Sequence, residues 1–305
     1  MLKVSRHQVG LAIVMVASLA AGWGGLVDTF NLSLHKTEYT YILLILPVSL
    51  ALLFQERRRP IALVAQNCRI GVTLMAIALV IALLASGYST RLSPDILLAI
   101  RMSGVVISWI GVYVLCFGFA AANSAMFPLL FLFGLVPPPE IVLNAMVLQL
   151  QQGSAWAAHL LFVLFGVPVI QVGTTVKIPG LALAVAPECS SIRSSSMLLV
   201  VTMVVAHLLL QSPWRKALVV GLAVPLSIAK NGLRIFTIAM LGTRVDIGFL
   251  TGKMHHQGGI LFFLIALACI LALVWILSRE ESSSSNSNLK IATPIPIPVR
   301  SLQTK

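Results

Sequence analysis

Charge is what this sequence has least of, and its scarcity decides the solvent. Only 10% of the 305 residues are Asp, Glu, Lys or Arg, where a soluble domain carries about 25%. With 58% hydrophobic residues and a mean hydropathy of +0.99, most of the folded surface cannot face water. Acidic residues are scarcest, 9 against 21 Lys and Arg. All of them fall outside the long apolar runs, which excludes a carboxylate proton relay within the membrane. The basic excess lacks the aromatic-interleaved patch of a nucleic-acid reader, so no nucleic-acid partner is expected. Four cysteines are present, Cys68, Cys116, Cys189 and Cys269, with no CxxC pair. No pair has metal-ligand spacing, and the placing of Cys116 and Cys269 within apolar runs argues against a disulfide framework. Cys116 and Cys269 lie mid-run and read as small hydrophobes. His255 and His256 are adjacent, not spaced i, i+4, and no acidic ligand follows, so a zinc protease is unsupported. There is no G-x-S-x-G elbow and no Gly-rich loop opening a helix. No cofactor is expected, and no internal repeat of the kind found in transporters is visible.

What is there are apolar runs of spanning length, near the ~20 residues that cross a hydrocarbon core. They predict an all-α, polytopic transmembrane bundle of about eight spans, one domain over residues 1–278. Residues 279–305 form a Ser- and Pro-rich basic tail expected to be disordered and cytoplasmic. Lys3 and Arg6 hold the N-terminus inside, and the first run, about Val9 to Val27, reads as a retained helix rather than a cleaved signal. The second, about Tyr41 to Phe54, returns to the cytoplasmic cluster Arg57, Arg58 and Arg59. The third (Ile70 to Tyr88), fourth (Met102 to Phe119) and fifth (Phe127 to Val136) follow, the fifth stopped by Pro137, Pro138 and Pro139. Asp28 to Thr40 and Arg91 to Arg101 are then outer segments. Gln149, Gln151, Gln152 and His159 suggest an amphipathic interfacial helix after Glu140. Pro168 breaks it, and Val169 to Val185 reads as a short hairpin whose backbone needs protein or water as partner. The sixth span, Ser190 to Leu210, ends at the basic pair Arg215 and Lys216. The seventh, Ala217 to Leu241, goes out, and the eighth, Gly258 to Leu277, returns.

This topology, drawn from loop charge, puts three capable residues on the outer side. Cys189 opens the sixth span, Arg234 lies in the outer part of the seventh, and His255 precedes the eighth. A helix N-terminus stabilises a thiolate, and Arg193 follows Cys189 by one turn. Histidine can take the thiol proton and later protonate a leaving amine. Arg234 keeps its charge, so it suits an oxyanion or a carboxylate. Asn231 and Lys230 make the seventh span unusually polar, while Glu188 opposes a thiolate at Cys189. Each residue also has a plain structural role: Cys for packing, Arg snorkelling, His as an interfacial cap. Their convergence on one side puts an enzymatic reading level with these plain ones.

The runs that carry these residues resemble the exosortase/archaeosortase family. PECSSIRSS (Pro187 to Ser195) is similar to its nucleophile motif, with Ser191 in place of the usual Gly. KNGLRI (Lys230 to Ile235) resembles its Asn-x-x-Arg motif. HHQGGILFF (His255 to Phe263) resembles its His-x-x-x-Gly-x-x-x-Phe motif, and Phe127 to Pro139 its Phe-Pro…Pro-x-Pro segment. The resemblance covers roughly Arg101 to Leu277. It implies a membrane-embedded cysteine transpeptidase or protease with Cys189 as nucleophile, Arg234 as charge stabiliser and His255 as acid/base. Arg193, Asn231, His256 and Glu188 are the supporting candidates, His256 being the alternative base. The implied partners are exported proteins with a C-terminal Pro-Glu-Pro-type motif, a transmembrane helix and a basic cluster, met at the bilayer of the bacterial inner membrane. The competing class is a non-catalytic transporter or a scaffold for exopolysaccharide export, with Lys230 and Arg234 lining an anion path. A third is a protease that uses water as acceptor.

Overall fold

The computed structural model describes residues 6–56, 68–185, 192–246 and 253–291. Helices dominate, because lipid offers backbone groups no partner and each segment must satisfy its own. The chain forms α1 (Arg6–His35), a 3-10 turn (Thr37–Tyr39), α2 (Ile42–Glu56), α3 (Cys68–Gly87) and α4 (Pro94–Ser124). Next come α5 (Met126–Phe131), a second 3-10 turn (Leu132–Leu135) and α6 (Glu140–Leu164). Strands β1 (Ile170–Val172), β2 (Thr175–Ile178) and β3 (Leu181–Ala184) precede α7 (Ile192–Leu209), α8 (Pro213–Arg244) and α9 (Lys253–Ile291). Among the described residues six helical stretches are long and apolar enough to cross a bilayer. A seventh crossing exists if α5 and α6, bent by 98°, are taken together. The expected first span lies within the 30-residue α1.

Some expectations need correction. The fifth run does not cross alone: residues 126–135 rise only about 15 Å, half of a ~30 Å core. In the helix after Glu140, Gln149 and Gln152 are exposed as expected, while Gln151 is buried. The helix lies along α8, with Gly153 against Ile228, Ala157 against Gly232, and the rings of Phe162 and Phe236 5.0 Å apart. Numbers rise together on both helices, so α6 and α8 run parallel. Small residues let them approach as lipid-embedded helices do, and a Cβ at Gly232 would stand 2.5 Å from that of Ala157. Polar side chains turn into this seam: Gln151 Nε2 donates to the Val185 carbonyl at 2.7 Å and Asn231 Nδ2 to Ser154 Oγ at 2.9 Å. The fourth helix also starts earlier than expected, because Pro94 suits a first helical turn; Arg101 is therefore helical, not part of an outer loop.

After Pro168 the expected hairpin is a three-stranded antiparallel sheet in the order β1-β2-β3. Gly173 (φ 60°) and Gly180 (φ 81°) make its turns in the left-handed region open to glycine. Val176, Ile178 and Val185 bury one face against Phe162 and Ala239.

Polar contacts tie the ends of the bundle. Lys36 Nζ meets Glu140 Oε1 at 2.9 Å, the Glu140 amide donates to Asp95 Oδ2 at 2.8 Å, and Tyr39 Oη donates to the Pro138 carbonyl at 3.2 Å. These contacts join segments that loop charge had assigned to one side. Elsewhere Arg215 lies 3.5 Å from Glu280 and 3.8 Å from Glu281, and Glu281 accepts the amides of Gln211 and Ser212. The end of α7, the start of α8 and the Glu280–Glu281 level of α9 therefore meet. Helix α9 continues to Ile291, inside the tail expected to be disordered; residues 292–305 lie outside the described part.

Candidate functional site

Helices α7 and α8 are joined at residues 210–212, so position along each fixes depth. At 1.5 Å per residue Lys230 stands about 26 Å and Arg234 about 32 Å along α8 from Pro213. Ser194 stands about 23 Å along α7 from Leu209 on the same rise. On α9, whose Glu281 caps the 210–212 turn, Phe263 and Gly259 stand about 27 and 33 Å away. Five residues from three helices thus lie between about 23 and 33 Å from that turn, near a hydrocarbon thickness.

They also touch. The Lys230 amine donates to Ser194 Oγ, joining α8 to the first turn of α7. The same nitrogen lies 5.8 Å from the centre of the Phe263 ring, a cation–π contact with α9. One turn along α8, Arg234 is half-buried beside Gly259, where an added Cβ would stand 3.9 Å from the guanidinium carbon. Position 255 precedes Gly259 by four residues, one turn of α9. Asn231 is 1% exposed and bonded to Ser154 on α6.

The expected site residues divide accordingly. Arg234 and Asn231 are placed with side chains, Asn231 bonded to α6 and Arg234 beside Gly259 of α9. Arg193 is exposed in the first turn of α7. His255 and His256 lie in the first turn of α9, their side chains outside the described part. Cys189 and Glu188 fall in 186–191, outside the described residues. That segment joins Val185, whose carbonyl is held by Gln151, to Ile192, two residues before Ser194. The sequence singles out Lys230 as part of a polar stripe and, in the transporter reading, of an anion path; it does not single out Ser194. The i, i+4 spacing of Lys230 and Arg234 was a visible signal; the Ser194 partner, on another helix, was not. Among the described residues no group of three or more His, Cys, Asp or Glu could hold a metal ion.

Basic side chains one helical turn apart can stabilise negative charge far better in a low-dielectric setting than in water. Against known proteins, the family model for transmembrane exosortases (Exosortase_EpsH) matches residues 33–272. No curated protein and no solved structure matches. The matched stretch contains the sheet, α6, α7, α8 and the sequence positions Cys189, Arg234 and His255. The chain is a multi-pass membrane protein that belongs to the transmembrane exosortase family.

Proposed function

We propose that the chain is a cysteine transpeptidase that cleaves the C-terminal sorting signal of exported proteins, its site opening to the extracytoplasmic side of the bacterial inner membrane. The observation that carries this reading is the seating of Arg234 against Gly259, one turn from His255, in a chain matched to exosortases. In the proposed sequence the Cys189 thiol gives its proton to His255, and its sulfur attacks a peptide carbonyl. Arg234 stabilises the resulting oxyanion. Collapse of this intermediate breaks the C–N bond, His255 returns the proton to the leaving amine, and a thioester remains on Cys189. The amine or hydroxyl of an acceptor then attacks the thioester and frees the enzyme. Water in that role makes the enzyme a protease.

The test is processing of a co-expressed protein carrying a Pro-Glu-Pro-type motif, a transmembrane helix and a basic cluster. Wild type and Cys189→Ala are compared by gel shift and mass spectrometry at equal membrane abundance. Cleavage lost in the variant supports the reading, and product mass separates transfer from hydrolysis. Equal processing by both would move the assignment to a transporter or scaffold.

A further inference from the structure

Lys230 has no part in the reaction as written, yet it is among the costliest residues in the molecule. Its side chain is 6% exposed within a membrane helix, where an ammonium persists only if polar or charged groups compensate it. The contacts that hold it are neutral: a serine hydroxyl and a phenylalanine ring. Its charged neighbour along the helix, Arg234, has the same sign. Among the described residues, the acidic side chains of α8 and α9 lie elsewhere: Asp246 follows the end of α8, and Glu280 and Glu281 sit beside Arg215. An ammonium has three donors, and Ser194 accepts one.

We propose that Lys230 is the floor of a carboxylate subsite, binding an acidic side chain of the substrate peptide and so setting specificity beside the reacting carbonyl. The inference rests on the transpeptidase reading and deepens it. Three features support a ligand here rather than a purely structural role. Position 230 lies about 6 Å along α8 from position 234, at 1.5 Å per residue, the scale of successive side chains of a peptide held near the guanidinium. Ser194 fixes the amine from the α7 side and Phe263 from the α9 side, aiming it into the seam between them. The four-carbon stem lets the ammonium follow a carboxylate without moving the helix. Lipid phosphate shares the chemistry, and the two sources are separated below by the composition of the bilayer.

The experiment measures binding, so it does not depend on turnover. Full-length Cys189→Ala protein in phosphatidylcholine nanodiscs is titrated with two fluorescent peptides that differ only in Glu or Gln at the acidic position of the motif. The Glu peptide should bind about tenfold more tightly, the scale of one charge-assisted bond. Lys230→Met should weaken the Glu peptide to the level of the Gln peptide and leave the latter unchanged, with Lys230→Arg retaining part of the preference. Equal affinity of both peptides for Cys189→Ala overturns the proposal even if Lys230→Met fails to fold. Discrimination that survives Lys230→Met also overturns it, as does discrimination abolished instead by phosphatidylglycerol nanodiscs, which would assign the amine to lipid. A Glu preference that appears only after Glu188→Gln would make Glu188 the resident counter-ion and equally sink the idea. If the peptides discriminate while processing proves independent of Cys189, the subsite stands and the catalytic reading falls.

Discussion

Gly259 and Arg234 face each other across α9 and α8: a Cβ at 259 would stand 3.9 Å from Cζ and 4.0 Å from Nη1 of the guanidinium. A first carbon therefore fits at ordinary contact distance, and anything longer must enter the space that the guanidinium occupies. The glycine of the His-x-x-x-Gly-x-x-x-Phe run thus has a local physical reason, the width of an arginine head group.

Gly259→Ala should retain most processing of a co-expressed substrate, and Gly259→Leu should lose at least tenfold at equal membrane abundance. Arg234→Lys should lose comparably, because an ammonium cannot reproduce the planar, five-donor guanidinium. Cleavage assays with quantified membrane fractions check this. Full activity of Gly259→Leu would separate this contact from catalysis.

Close packing makes a second, purely structural prediction. At Gly232 an added Cβ would lie 2.5 Å from the Ala157 Cβ and 3.0 Å from two backbone atoms of α6, which cannot swing aside. Gly232→Ala should cost about 1–3 kcal/mol through overpacking. At Gly221, on the same helix, nothing lies within 4 Å, and Gly221→Ala should change stability by less than about 1 kcal/mol. Thermal inactivation of the two variants in detergent, followed by size exclusion, reads the contrast.

The parts of this fold that were legible in sequence were those written locally. Helices α7, α8 and α9 announce themselves as apolar runs closed by Arg215, Lys216 and Arg279, and the residues flanking them carry the motif spacing. The α6 region misled because Gln151 reads as a water-facing residue when its partner, the Val185 carbonyl, is 34 residues away. The same holds for Lys230 and Ser194, separated by 36 residues, whose pairing depends on how α7 and α8 pack. Short α5 was overcounted because a run of apolar residues before three prolines has the composition of a span but not its length. Buried polar pairs across distant helices are what periodicity cannot show.

The Lys36–Glu140 pair supplies a pH-dependent prediction outside the spans. The hydrogen bond to Glu140 raises the Lys36 pKa above its usual 10.5. A raised lysine contributes stability that is fully present below the unfolded value and is lost as pH rises through the folded one. The difference in thermal midpoint between wild type and Glu140→Gln should therefore be present at pH 8 and fade above pH 10.5. Both side chains are at least half exposed, so the difference should be small and should shrink in high salt. A midpoint difference that grows toward alkaline pH would contradict the assignment.

Asn231 and Ser154 couple α8 to α6 inside the seam, and the size of that coupling is measurable. Asn231 is 1% exposed and Ser154 likewise 1%, with Nδ2 donating to Oγ at 2.9 Å. Removing either partner leaves a buried polar group to be satisfied elsewhere, at a cost of about 1–3 kcal/mol. Ser154→Ala and Asn231→Ala should each lower thermal stability. The double variant should lose less than the two losses added, with an interaction of about 0.5–3 kcal/mol for groups in direct contact. Because Asn231 follows Lys230 and precedes Arg234 by three residues, loosening it should also disturb the turn that carries both cations. Asn231→Ala should therefore reduce processing more than Ser154→Ala does at matched stability. Additive losses in stability would mean that the two side chains do not depend on each other. Equal losses of processing would restrict Asn231 to holding the helices together.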